Sequence, residues 1–277
     1  MRGMSFAVSL AIILSVGSGN NFPADAGEGV VRLYAAGSLR LALTEVIAAF
    51  ETAQGVKVEP TFGASGLLRE RLAGGEPGDL FASADMAQPR ALQTAGKAGP
   101  VVLFARNRLC ALGRPNLAVT SETLLTVMLD PAVRLATSTP RADPSGDYAW
   151  EVFRRAEAVK PGSRELLDAK ALKLTGNPSA LQPPANRNVY AWHLAENRAD
   201  LFLGYCTNTK TVEAELPGAR IIELPPELAV GAEYGLTVLN TAAAPRTAAT
   251  LALYILSTAG QRILHKHGFD APLLAKE

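Results

Sequence analysis

Four short stretches join small residues to hydroxyls or amides just ahead of a helical pattern. They are Ala35-Ala36-Gly37-Ser38, Phe62-Gly63-Ala64-Ser65-Gly66, Asp143-Pro144-Ser145-Gly146 and Pro183-Pro184-Ala185-Asn186-Arg187-Asn188. Serine and asparagine are preferred helix caps, so Ser38, Ser65 and Ser145 are expected as N-caps, with Asn186, Arg187 and Asn188 at the fourth junction. A helix N-terminus offers unpaired N–H groups and the positive end of a dipole, which suits an anion. Glycine or alanine beside the cap lets a ligand approach the backbone. One such junction is only a cap. Four facing one cleft would make a socket for an oxyanion. Tyr205, at the end of an apolar strand and followed by Cys206-Thr207-Asn208, could add one hydroxyl donor.

Signals for bond-making chemistry are sparse. "GASGL" (Gly63–Leu67) lacks the second glycine of a nucleophile elbow, since Leu67 stands in its place. His193, His265 and His267 are the only histidines, which leaves few bases for a serine triad. His265 and His267 fall in a predicted helix, where residues two apart do not share a face, so no metal is expected there. Phosphate-loop, dinucleotide and zinc-protease motifs are missing, and no cofactor is expected. Asp79 and Asp85, at the two ends of "DLFASAD", are expected to serve turns and caps.

Alternating elements must position these junctions. "GVVRLYAA" reads as a strand, and the helix after it sets Leu39, Leu43, Val46, Ile47 and Phe50 on one face. "GVKVEPTFG" and "GDLFASAD" are further strands around the helix "SGLLRERLAGG". This β-α-β-α-β rhythm predicts a parallel sheet with helices on its faces. It restarts after "FARNRLCALGRPN": strand "VRLATS", helix "DYAWEVFRRAEAV", helix "VYAWHLAENRAD" and strand "LFLGYCTNT". A strand in "GAEYGLTVLN" and two closing helices are too little for a unit of their own, so the C-terminal segment is expected to return to the first unit.

The start of the chain reads as an export signal. Met1-Arg2-Gly3 precedes an apolar run, Met4–Val16, that is short for a membrane span, and Ala24-Asp25-Ala26 fits a cleavage site. Residues 1–26 are therefore expected to be removed. A net charge of +1 argues against a general nucleic-acid or membrane-surface binder. In an oxidising compartment Cys110 and Cys206 form either one disulfide or two separate buried thiols, and sequence leaves both open.

Taken together these residues resemble the periplasmic molybdate-binding proteins of ABC importers. The likeness spans nearly the whole mature chain. It is clearest from "LYAAGSLRLALTEV" through "FGASGLLRERLAGGEPGDLFASADMAQPRAL", and continues in "PSGDYAWEVF", "ADLFLGYCTNT", "AEYGLTVLN" and "LHKHGF". The run ending in "DLFASAD" is the most specific part.

The resemblance implies a type II periplasmic binding fold of the α/β class, two α/β lobes joined by a two-strand hinge. Lobe one would comprise 27–105 with 234–277, and lobe two 106–233. One oxyanion, most simply molybdate or tungstate, would sit between them and pass to a membrane permease from a monomeric receptor. The family's two serines match Ser38 and Ser65, its backbone N–H in a P-A-G sequence matches Ser145, and its tyrosine matches Tyr205. Its remaining backbone contact, usually at a valine, falls on Arg187, within a longer segment than usual. Either the Arg187 side chain adds charge to the pocket or only its N–H binds. A receptor for sulfate, phosphate or a small organic acid, and an enzyme on the same architecture, remain as alternatives.

Overall fold

The computed structural model describes residues 29–272, so the export signal expected over 1–26 lies outside the described residues. Strands β1 (Val31–Ala36), β2 (Val58–Gly63) and β3 (Leu80–Ser83) alternate with helices α1 (Arg40–Gln54) and α2 (Ser65–Ala73). The strands pair in parallel, β1 between β2 and β3. The predicted apolar face of α1 is buried: Leu43, Val46 and Phe50 are fully covered, with Leu39 beneath the turn that precedes them. The helix stops at Gly55, whose φ of 67° suits glycine. Helix α3 (Ala87–Thr94) follows β3.

The stretch "FARNRLCALG", which carried no strand signal in the alternating pattern, lies in the longest strand, β4 (Val102–Gly113). From there come α4 (Leu124–Leu129), β5 (Leu135–Ser138), α5 (Pro144–Val159), α6 (Ser163–Lys170), β6 (Leu172–Thr175), α7 (Val189–Ala195), β7 (Leu201–Tyr205), α8 (Thr209–Glu215) and β8 (Arg220–Glu223). Strand β9 (Gly231–Val238) and helices α9 (Pro245–Leu256) and α10 (Thr258–Lys266) close the described chain. The strand order is β2-β1-β3-β9-β4-β7-β5-β6, with β8 also on β4.

Two lobes follow from how β4 changes partners. Val102–Arg108 pairs antiparallel with β9, which pairs antiparallel with β3 in the first lobe. Leu109–Gly113 pairs with β7 and β8 in the second. The sheet is therefore mixed, because the strands that join the lobes run against the parallel β-α-β units. The C-terminal segment packs on the first lobe as expected, with Lys266 and His267 both bonded to Glu45 of α1.

Asp79 and Asp85 are caps. Asp79 accepts from the N–H groups of Arg32, Ala243 and Ala244, tying β1 to the start of α9. Asp85 accepts from the Gln88 N–H at the start of α3. Cys110 and Cys206 are joined in a disulfide that fixes the end of β7 against β4.

Candidate functional site

The candidate residues gather where the lobes meet, at the ends of β1, β2, β3, β5 and β7. The three serines are not helix caps, which corrects the sequence expectation. After β1 a tight 3-10 turn (Gly37–Leu39) precedes α1, whose cap position is Leu39 without a side-chain bond. Ser38 Oγ instead lies 2.9 Å from the hydroxyl of Tyr234 on β9. Ser65 is the first residue of α2, after Ala64 at the cap, and its buried Oγ accepts from the Ala84 N–H at 3.1 Å. At the third junction the cap is Asp143, whose carboxylate accepts from the Ser145 N–H at 3.0 Å. A proline between cap and serine pre-sets the first turn, so the residue before it holds the capping position.

At the fourth junction Asn188 is the cap, accepting from the N–H groups of Tyr190 and Ala191. Arg187 has its Nε 3.0 Å from a Glu215 carboxylate oxygen, and its N–H donates to the Pro184 carbonyl. Both donor groups named for Arg187 therefore have protein partners here, as does the Ser145 N–H.

Hydroxyl chemistry dominates the junction. Asn107 Nδ2 donates to Tyr234 at 3.1 Å and to Thr207 Oγ1 at 3.0 Å. With its oxygen accepting from Asn107, Tyr234 can give its proton to Ser38, which leaves the Ser38 proton free for a ligand. The Ser65 proton is spare for the same reason, since its oxygen accepts from Ala84. Tyr205 is 2% exposed and its hydroxyl has no hydrogen-bond partner. Its ring meets those of Tyr234 and Tyr148 edge-on, at centroid distances of 5.9 and 6.4 Å. Burial pushes the Tyr205 pKa well up, with Tyr234 and Asp143 adding to it, so the phenol stays a donor.

The lobes touch at named points. The Gly66 N–H donates to the Ala142 carbonyl at 2.9 Å, and the Tyr148 hydroxyl donates to the Ala84 carbonyl at 3.3 Å. Ala84 thus meets Ser65 on one side and the second lobe on the other.

The site residues that sequence reasoning missed are Asn107, Tyr234, Tyr148, Gly66 and Asp143. Asp143 carried a signal, as an acidic residue before a helix-starting proline, and so did Gly66, as the glycine beside Ser65. The others lie on strands or inside helices and reach the cleft only through the tertiary fold. Neither Ser38 nor Ser65 has a carboxylate or imidazole among its hydrogen-bond partners. Among the described residues no group of three histidine, cysteine or acidic side chains could hold a metal ion. No described helix is long and apolar enough to cross a membrane.

Comparison with known proteins bears on the family and the fold. A family described as bacterial extracellular solute-binding protein matches residues 31–270. An uncharacterised protein of Pasteurella multocida is 36% identical over 240 residues, 86% of this chain and 98% of its own. The molybdate-binding protein ModA of Mycobacterium bovis is 27% identical, over 98% of each chain. Among solved structures, the periplasmic molybdate-binding protein of Azotobacter vinelandii aligns with a TM-score of 0.70 at 18% identity, covering 89% of this chain and 100% of that one. A sulfate-binding protein of Mycobacterium tuberculosis also aligns at 0.70, with 16% identity and coverage of 88% and 87%. These two likenesses bear on the fold, which is that of type II periplasmic binding proteins.

Proposed function

The chain belongs to the bacterial extracellular solute-binding proteins, and from that premise we propose that it captures a tetrahedral oxyanion between its lobes in the periplasm and delivers it to the permease of an ABC importer. Molybdate is the first candidate and tungstate the second, supported by the names of the Mycobacterium and Azotobacter relatives. The observation that carries this reading is the Asn107–Tyr234–Ser38 relay beside the unpartnered hydroxyl of Tyr205. Ser38, Ser65, Ser145 and Tyr205 carry hydroxyls with protons to give, those of Ser145 and Tyr205 being buried without a partner among the described residues. The buried N-terminal turn of α5 at Ser145 completes the wall. Arg187 joins only if Glu215 and Pro184 release it.

The lobes are taken to exchange within the paired hinge strands, near Ala105 and Arg106 of β4 and Glu233 and Tyr234 of β9. Closing them brings the Tyr205 side against the serine side. Donation from neutral groups to a charged ligand is worth about 1.5–3 kcal/mol per bond, enough for tight capture once desolvation is subtracted. The working unit is taken to be a monomer, with no nucleic acid involved. The spare donors and the family argue for binding without bond making.

Calorimetric titration of the mature protein with molybdate, tungstate, sulfate and phosphate tests the reading. Molybdate and tungstate are expected to bind tightly, and Ser38→Ala to weaken them by about tenfold to 100-fold. Silence toward all four anions sinks the proposal. A preference for sulfate would favour the second reading, a receptor for a different tetrahedral anion on the fold it shares with the sulfate-binding structure.

Tyr205→Phe separates function from stability. Removing a buried hydroxyl without a partner should stabilise the ligand-free protein by about 1 kcal/mol, while the lost donor lowers anion affinity by about tenfold. Thermal melting and titration of the same sample give the two opposite signs.

A further inference from the structure

The lobe junction that carries these donors also carries a carboxylate, one residue from the Ala142 carbonyl that accepts from Gly66. Asp143 sits at the lobe junction as the cap of α5, with Oδ1 on the Ser145 N–H. Its side chain packs against Gly176, just after β6, where the chain takes a φ of 78°. A Cβ at Gly176 would stand 2.5 Å from Asp143 Cβ and 3.0 Å from Oδ2. Two negative groups act on it, Asp147 on its own helix and Asp85 on the loop after β3 of the other lobe. The groups presented by the other elements are neutral hydroxyls, Ser138 from β5, Tyr190 from α7 and Tyr205 from β7. Arg141 turns to Asp147, donating its N–H to that carboxylate at 3.0 Å.

We propose that Asp143 makes anion capture proton-coupled, so that the closed, loaded cleft holds one proton between the Asp143 carboxyl and the oxyanion. The inference rests on the oxyanion reading above. A carboxylate and a dianion are both acceptors, and side by side without a cation they repel. One proton removes the conflict. A neutral Asp143 keeps its carbonyl oxygen on the Ser145 N–H and turns its O–H into a donor toward the ligand. The unpartnered, buried hydroxyl of Tyr205 marks the ligand side of this cap.

Burial already pushes the Asp143 pKa up, and Asp147 and Asp85 add to it, while Ser145 and Ser138 pull it down. A bound dianion pushes it further. Binding then favours the protonated form, so affinity is highest below the pKa of the free protein. It falls by up to about tenfold per pH unit between the free and loaded values. An oxyanion that brings its own proton meets the same requirement without uptake. Asp143 thereby becomes a specificity-determining residue.

Asp143→Asn is the decisive variant, because an asparagine amide reproduces the neutral carboxyl: its oxygen caps Ser145 and its nitrogen donates, with no titration. Sodium molybdate would be titrated into both proteins between about pH 5.5 and about pH 8.5, in buffers of different ionisation enthalpy. The native protein should take up close to one proton per anion and weaken steadily with pH. The variant should take up none, hold a flat profile, and bind at least about tenfold tighter than the native protein at the alkaline end. Tight native binding with no proton uptake overturns the proposal, as does an equal slope in the variant. If neither protein binds molybdate, sulfate or phosphate at any of these pH values, the oxyanion reading fails and this inference falls with it.

Discussion

Gly66→Ala is expected to give a protein that melts where the native one does but binds its anion at least about 100-fold more weakly. Gly66 is the second residue of α2, and its N–H donates to the Ala142 carbonyl of the opposite lobe at 2.9 Å. A Cβ at this position would stand 2.7 Å from the Ala142 carbonyl oxygen and would collide with the Arg141 carbonyl oxygen as well. Both obstacles are backbone atoms, so no side chain can turn aside to make room. Alanine is the better helix residue, and the first lobe loses nothing when the lobes are apart. Closure is what fails. The donors of the second lobe then cannot reach a ligand held by Ser38 and Ser65, and losing two bonds to a charged ligand costs about 3–6 kcal/mol. Small-angle scattering would show it directly, since the variant should not become more compact when molybdate is added. An alanine variant with native affinity would mean that the ligand is held without this contact.

The second large effect concerns the disulfide. Cys110 lies opposite Gly204 in the β4–β7 ladder, and Cys206 directly follows Tyr205. The bond spans 96 residues of sequence with the Cα atoms 5.0 Å apart. In the chain-entropy account a loop of this size restricts the unfolded ensemble strongly, and removing such a bridge costs about 2–4 kcal/mol. Reduction, or the pair Cys110→Ser and Cys206→Ser, should therefore lower the melting temperature by roughly 10 °C. The bridge also anchors the strand end that presents Tyr205, so anion binding should weaken in the reduced protein below its melting point. Melting curves and titrations with and without reductant test both parts. Equal melting temperatures would show that the β4–β7 ladder alone holds the strand.

Much of the fold was legible locally. The β-α-β rhythm and the buried face of α1 rest on periodicity within a few residues, which survives into the structure. The return of the C-terminal segment followed instead from its having too few strands to stand alone. The strand nature of "FARNRLCALG" was not legible, because a strand that serves two lobes in turn follows neither alternation nor a continuous apolar run. Ser38 and Ser65 stood out through the small residues beside them, yet their expected role as caps was wrong. Helix start positions depend on one or two residues of backbone geometry, and the hydroxyls turned instead to Tyr234 and to the Ala84 N–H.

By itself the sequence determined that this is an α/β chain with hydroxyl-bearing junctions, three histidines, and two cysteines able to pair. Those properties are set by residue type and near-neighbour spacing. Only the tertiary structure decided which groups meet. Asn107, Tyr234 and Ser38 are brought into one relay by antiparallel pairing of two distant strands, and Gly66 acquires its role only against the Ala142 carbonyl of the other lobe. Asp143 is an ordinary cap in sequence. Its surroundings come from far away along the chain, with Gly176 packed against it and the charge of Asp85 acting on it, and the energy of a charge depends on what surrounds it.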